Sequence, residues 1–131
     1  MRLGRLSSHA PCPCDSGQTY VDCCGAWHLG LLQGLHAPTP EALMRSRYSA
    51  YVLGLIDYLL ATWHPGELEL PPLKWLGLEV RHAQASVDAG VVECVARCRD
   101  NGRAQRLHET SRFVREQGRW YYVDGIIEVQ A

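Results

Sequence analysis

The chain has 131 residues, of which 47% are apolar and 21% charged, a composition typical of one globular domain with a small appendage. Its 13 basic and 14 acidic side chains give a formal net charge of -1, which argues against charge-driven binding to nucleic acid or to an anionic membrane. Residues 1–11 lack the apolar segment of a secretory signal, and no stretch is long enough to span a bilayer. We therefore expect a cytoplasmic protein without a membrane partner.

Four of the six cysteines lie close together near the N-terminus, in the pattern C-x-C-x8-C-C. They are Cys12, Cys14, Cys23 and Cys24. Four thiols at this spacing suit a tetrahedral Zn2+ ion, whose Zn–S distance is about 2.3 Å. Pro13 restrains the backbone, and Ser16 with Gly17 supplies the turn that returns the chain to the second pair. Because four sulfurs fill the coordination shell, we predict a structural zinc site rather than a catalytic one.

Two other interpretations of these cysteines are disulfides and unligated thiols. The adjacent Cys23 and Cys24 cannot bond to each other without strain, and a reducing compartment disfavours the other pairings. His28, four residues after Cys24, is an alternative ligand that could replace one sulfur. A segment this short has almost no core, so metal would supply its folding free energy, on the order of 10 kcal/mol. We expect this segment to add little to the core of the rest of the chain, which should fold without it.

The sequence C-P-C-D-S-G-Q-T-Y-V-D-C-C-G resembles the SEC-C motif, a zinc knuckle found at the C-terminus of the bacterial secretion ATPase SecA and in many uncharacterised bacterial proteins. We call these residues, 12–25, the knuckle. The resemblance implies a protein partner, with the knuckle as a docking tip for a chaperone or for the ribosome. Asp15 and Asp22 stand where the family often has Gly and Lys, so contacts that need a basic face are not implied.

A helical region is predicted after the knuckle and a short connector. The sequence Thr-Pro-Glu at residues 39–41 begins it, with a hydroxyl cap, proline at the first helical position and an acidic residue near the positive end of the helix dipole. Apolar residues then recur every three or four positions, so one face is buried. Gly54 interrupts the run, which allows one long helix or two helices over residues 40–53 and 55–64. His-Pro-Gly at residues 64–66 ends the helical region.

From residue 73 onward the apolar pattern has a period of two and predicts four strands. They cover residues 75–85, 90–99, 106–115 and 119–124. The separators at residues 88–90, 100–102 and 117–118 are turn-like and short, which predicts an antiparallel meander. Cys94 and Cys98 lie on the apolar face of the second strand, about 13 Å apart, so we interpret them as core residues rather than as ligands or a disulfide.

Several blocks of sequence resemble the middle domain of the YchJ family, a group of uncharacterised bacterial proteins with a nuclear-transport-factor-2-like core. They include P-T-P-E-A-L-M-R-S-R-Y-S-A-Y (38–51), H-E-T-S-R-F (108–113) and G-R-W-Y-Y-V-D-G (118–125). The resemblance implies an α+β cone, with helices packed on a curved antiparallel sheet, preceded by the zinc knuckle. It also implies a helix break near Gly54, a knuckle and connector over residues 1–37, and the cone over residues 38–131.

A cone of this kind can leave a pocket between the sheet and the helices. The candidate pocket residues are Arg45, Arg47, Tyr48, Trp63, His64, Glu109, Ser111 and Tyr122. Glu109 shares a strand face with Leu107 and Ser111, so it is expected to point inward and to need a partner. Either it is a general base or ligand anchor with His64 or Tyr48 as proton partner, or it forms an ion pair with Arg45 or Arg47 that joins helix to sheet.

No nucleotide-binding glycine pattern, Ser-His-Asp set or kinase signature is present, so we assign no catalytic residue and do not predict an enzyme. The sequence favours a zinc-binding adaptor or protein-interaction module, with the cone as a scaffold or as the unit of a homodimer. A small-molecule binder or enzyme that uses the pocket is the alternative. A weaker one is contact with the ribosome or nucleic acid through arginines, namely Arg45, Arg47, Arg97, Arg99, Arg103 and Arg106.

Overall fold

The computed structural model describes residues 9–63 and 73–130, which form helices followed by an antiparallel sheet, as predicted. The helices are α1 (Cys24–Gly30), α2 (Pro40–Leu53) and α3 (Ile56–Ala61). The strands are β1 (Lys74–Ala85), β2 (Ala89–Asp100), β3 (Arg103–Glu116) and β4 (Arg119–Gln130). Single 3-10 turns at Tyr20–Asp22 and Leu31–Gln33 precede and follow α1. Within these described ranges, no helix has the length and apolar character needed to cross a membrane.

The sheet is the predicted meander, with strand order β1-β2-β3-β4 and every neighbouring pair antiparallel. The two later hairpins turn at residues 101–102 and 117–118, where both residues of each pair have positive φ. This is the turn geometry that matches the twist of paired strands. β4 continues to Gln130, beyond the predicted end at residue 124, because its last residues pair with the first half of β3.

The start of α2 and the break after it have local causes. The Thr39 hydroxyl accepts a hydrogen bond from the backbone N–H of Ala42 at 3.0 Å, which satisfies one free donor of the first turn. Gly54 has φ +72°, and its N–H donates to the Ala50 carbonyl, so the helix break implied by the family resemblance is confirmed and the region forms two helices. The second ends earlier than predicted, at Ala61, and His64 lies outside the described residues.

The core lies between α2 and the inward face of the sheet, and the knuckle is part of it. Leu43 of α2 and Phe113 of β3, each 1% exposed, belong to the same buried cluster as Cys14 and Tyr20 of the knuckle. Our expectation that the knuckle adds little to the core is therefore wrong: Tyr20 is 2% exposed and packs as a core aromatic. Cys94 belongs to the same cluster, as predicted.

Candidate metal centre

The four thiols of the knuckle converge on one point. Their Sγ atoms all lie within 4.8 Å of one another. The Sγ atom of Cys23 is 3.6 Å from that of Cys14 and 4.0 Å from that of Cys24. Four sulfurs placed 2.3 Å from a central ion would be about 3.8 Å apart, so the observed cluster can hold a tetrahedral metal ion.

Local backbone geometry brings the two cysteine pairs together. The N–H of Cys12 donates to the Gln18 carbonyl at 2.9 Å, which closes the loop between the pairs. Asp15 turns the chain with φ 61°, a left-handed conformation that Asp tolerates better than most residues. The 3-10 turn at Tyr20–Asp22 then leads into Cys24, the first residue of α1. These backbone contacts bring the two cysteine pairs to the same side of the loop.

Serine hydroxyls form a second layer around the sulfurs. Ser16 Oγ lies 3.2 Å from Cys23 Sγ, and Ser49 Oγ of α2 lies 3.6 Å from Cys12 Sγ. Hydroxyl donors in this position orient thiolates and stabilise their charge when a metal is bound. Ser49 was not among the residues predicted for the site. In the sequence, Ser49 is a small polar residue inside a predicted helix. Its role becomes clear only when the fold places Cys12 beside it.

The thiols of the cluster differ in the pKa at which they lose their protons. Hydrogen bonds from Cys12 and then Cys24 lower the pKa of the Cys14 thiol, whereas burial raises the pKa of Cys23 to about 11. Hydrogen bonds with Cys12 and then Cys14 raise the pKa of Cys24. The protein alone therefore stabilises the thiolate of Cys14 and disfavours those of Cys23 and Cys24. A divalent cation would stabilise the remaining thiolates and displace their protons.

Two side chains fasten the knuckle to the rest of the molecule. Arg45 of α2 donates from Nη1 to the Cys14 carbonyl at 2.9 Å and from Nε to Glu41 at 3.1 Å. Asp15 accepts a hydrogen bond from the backbone N–H of Leu78 in β1 at 3.0 Å. Arg45, which we predicted as a pocket residue, therefore supports the metal centre instead.

His28 is fully engaged elsewhere. Its Nε2 lies 2.8 Å from the Ser46 carbonyl and therefore donates to it, which leaves Nδ1 to accept from the Tyr20 hydroxyl at 2.6 Å. Neither ring nitrogen is free, and the four-cysteine group does not include this residue. The alternative in which His28 replaces a sulfur is not supported.

The predicted pocket exists as a small cavity of about 70 Å³ between α2 and the sheet. Four candidate residues line it: Arg47, Tyr48, Glu109 and Tyr122. Ser111 lies beside it and donates to Glu109 at 2.6 Å. Trp63 instead donates from its indole nitrogen to the Val123 carbonyl at 3.2 Å, which joins the end of the helical region to β4. His64, the remaining candidate, is outside the described part of the chain.

The ion pair proposed for Glu109 is not formed by any described arginine. Glu109 Oε2 accepts from the hydroxyls of Ser111 and Tyr122, the latter at 3.1 Å. Arg47 Nη1 donates to the Leu59 carbonyl and to Thr62 Oγ1, both at 2.8 Å. The ion-pair interpretation is therefore wrong, because hydroxyl groups bind Glu109 and the end of α3 binds this nitrogen of Arg47.

Burial also limits the arginine surface that was considered for nucleic acid. Arg47 is only 3% exposed and cannot contact a large external partner. Arg45 is committed to the knuckle. The exposed members of the set belong to β2 and β3: Arg97, Arg99, Arg103 and Arg106.

Comparisons with known families and proteins agree with this architecture. The family model described as "YchJ, middle NTF2-like domain" matches residues 39–125, and the model of the SEC-C motif matches residues 10–26. A UPF0225 protein of Bordetella parapertussis is 57% identical over 128 residues, which cover 92% of this chain and 96% of that protein. A UPF0225 protein of Chromobacterium violaceum is 52% identical, with 94% and 97% covered.

Two solved structures are similar to the whole fold. A SEC-C motif containing protein from Rhodopseudomonas palustris, solved in solution, is 36% identical with a TM-score of 0.75, over 88% of this chain and 96% of that one. The crystal structure of a SEC-C motif containing protein from Psychrobacter arcticus is 30% identical with a TM-score of 0.77, over 95% and 86%.

Proposed function

The chain belongs to the YchJ family, also known as UPF0225, and from this membership and the cysteine cluster we propose that it is a zinc-binding protein-interaction module. The observation that carries the metal is the convergence of four Sγ atoms within 4.8 Å. Four sulfur donors in a tetrahedral arrangement suit Zn2+, and a filled shell gives the ion a structural role. Cysteines that bind metal rather than form disulfides are typical of a reducing compartment, so we propose a cytoplasmic location.

The knuckle is the proposed docking tip, and the surface around it supports this role. Four exposed apolar side chains lie in the knuckle or in the segment that follows it: Val21 (38%), Leu29 (52%), Leu32 (90%) and Leu35 (50%). Other exposed apolar side chains lie elsewhere, among them Ile126 and Val129 of β4. Exposed apolar groups in one region are typical of surfaces that bind another protein. A groove of about 430 Å³ lies between the knuckle and the start of α2.

Charge in that groove favours a protein partner over the phosphates of RNA. Asp22 and Glu41 line it, and the one arginine there, Arg45, is already bonded to Glu41. Carboxylates repel a phosphate backbone, whose binding depends on basic side chains. We therefore propose a protein surface as the partner, such as a chaperone or a ribosomal protein.

The metal is tested by elemental analysis of the purified full-length protein. We expect one zinc per chain, and its loss in Cys14→Ser. Cys98→Ser changes an equally buried cysteine that lies in β2, and this control should keep the zinc. Absence of a bound metal from the wild-type protein, or equal metal content in both variants, would contradict the site.

Docking is tested separately from metal binding with Leu32→Glu. This side chain is 90% exposed, so the substitution should leave folding and zinc content unchanged while placing a charge on the proposed surface. Val87→Glu, at a 76% exposed position in the turn before β2, is the matched control. In affinity purification with quantitative mass spectrometry, we expect partners to be lost from Leu32→Glu alone. Equal recovery with both variants would argue against the docking tip.

A further inference from the structure

The cavity between α2 and the sheet combines aromatic walls with two opposite charges. Its lining includes Tyr48, Tyr51, Trp75 and Tyr122, together with Glu109 and Arg47. The volume of about 70 Å³ is larger than one water molecule needs and small enough to exclude most metabolites. It is separate from the knuckle, so binding of a ligand there is independent of the proposed docking function.

The carboxylate of Glu109 is held in place by its neighbours. Both bonds from Ser111 and Tyr122 end on Oε2. Gly125 of β4 faces this carboxylate, and a Cβ atom at position 125 would collide with it. A carboxylate can accept about four hydrogen bonds, so two hydroxyl donors leave it able to accept further bonds from a ligand.

Arg47 brings the opposite charge to the same cavity. It is 3% exposed, and its guanidinium group lies 4.6 Å from the centre of the Tyr122 ring. The hydrogen bonds that fix it come from Nη1 and end on Leu59 and Thr62. No carboxylate of the described ranges forms an ion pair with it, although a buried cation usually requires one.

We propose that this cavity binds a small zwitterion, an amino acid of the size of free glycine, with its ammonium group on Glu109 and its carboxylate on Arg47. The two wall charges cancel, so a ligand without net charge preserves the balance. A ligand with only a positive charge would bind Glu109 but be repelled by Arg47. A ligand with only a negative charge would bind Arg47 but be repelled by Glu109. Aromatic walls add favourable contacts to an ammonium group.

The experiment is a titration of the full-length, metal-bound protein, labelled with 15N, with free glycine, acetate and methylammonium in turn. We expect saturable shifts of the backbone amides of Glu109, Tyr122 and Gly125 with glycine. Acetate and methylammonium each carry only half of the zwitterion and should give no saturable shift at the same concentrations. Absence of a glycine response, or an equal response to either half, overturns the proposal.

Variants test whether the wall charges carry the binding. Glu109→Gln keeps the shape and an acceptor for Ser111, and should weaken glycine about tenfold or more because a charged hydrogen bond is lost. Glu79→Gln, at an exposed position of β1, is the control and should bind as the wild type does. Ala96→Val fills part of the cavity without changing its charge and should also abolish binding. Unchanged affinity in Glu109→Gln or Ala96→Val overturns the assignment.

Discussion

His28 joins the knuckle to α2 through both nitrogens of its ring. It is 2% exposed and lies between the Tyr20 hydroxyl and the Ser46 carbonyl. This arrangement suits a neutral imidazole, in which Nε2 donates to the Ser46 carbonyl and Nδ1 accepts from the Tyr20 hydroxyl. Burial lowers the pKa of His28 below its ordinary value of 6.5, which also favours the neutral imidazole.

The neutral state of His28 predicts a dependence of stability on pH. In the unfolded chain His28 takes up a proton below about pH 6.5, whereas in the folded protein it does so only at lower pH. The free energy of unfolding should therefore fall as the pH drops below 6.5, by up to about 1.4 kcal/mol per pH unit. Urea denaturation of the metal-bound protein at several pH values measures this slope.

The control for this prediction removes the titrating group. His28→Gln should lose the extra slope between pH 6.5 and 5, although its stability at pH 7 is lower. His82→Gln, which changes an exposed histidine of β1, should keep the slope of the wild type. An identical slope in the wild type and in His28→Gln would refute the assignment of the neutral tautomer.

At the scale of elements, α2 is the helix that links the metal centre to the sheet. Arg45 and Ser49, one turn apart, reach the knuckle, whereas Met44 and Tyr48 face the cavity on the sheet side. Residues four apart lie on the same helix face, so this division follows from helical geometry. The orientation of α2 therefore determines which side chains face the cysteine cluster and which face the cavity.

The end of α2 depends on the left-handed conformation of Gly54. A side chain at this position would meet no atom within 4 Å, so the effect of a substitution is confined to the backbone. Gly54→Ala should lower the free energy of unfolding by about 1 to 2 kcal/mol, because φ +72° is strained for alanine. Gly54→Asn should cost less, since asparagine tolerates this conformation. Denaturant titration of both variants measures the difference, and equal stability of the wild type and Gly54→Ala would contradict it.

At the scale of the whole molecule, the knuckle and the cone share a continuous core. Cys14 and Tyr20 belong to the same cluster as Leu43 and Phe113, and Asp15 binds the backbone of β1. Loss of metal would leave thiols buried in this core and release the loop that places Tyr20 there. The effect of the metal should therefore reach the sheet.

Removal of the proposed metal ion with a chelator should lower the melting temperature of the entire chain in one cooperative transition. A ligand that binds only the folded state stabilises it by about 4 kcal/mol when its concentration is a thousand times its dissociation constant. Circular dichroism at a wavelength dominated by β-sheet measures the melting temperature of the sheet with and without metal. An unchanged melting temperature of the sheet after complete metal loss would show that the knuckle and the cone unfold independently.

Features encoded by neighbouring residues were determined by the sequence itself. The cysteine spacing predicted the cluster, the Thr-Pro-Glu start predicted the beginning of α2, and the turn residues at 101–102 and 117–118 predicted the meander. Each depends on the conformation of a few consecutive residues, which local chemistry restricts strongly. The break at Gly54 had a local signal as well, although periodicity alone left one helix or two open.

The partners of individual polar side chains were decided only by the tertiary structure. Arg45 and Arg47 are two residues apart, yet one binds the knuckle and the other the end of α3. Glu109 is bonded to hydroxyls and faces a strand position that only glycine can occupy without a clash. The partner of each polar side chain depends on which residues, distant in the sequence, lie within hydrogen-bond distance of it in the fold. A pattern of consecutive residues does not contain that information.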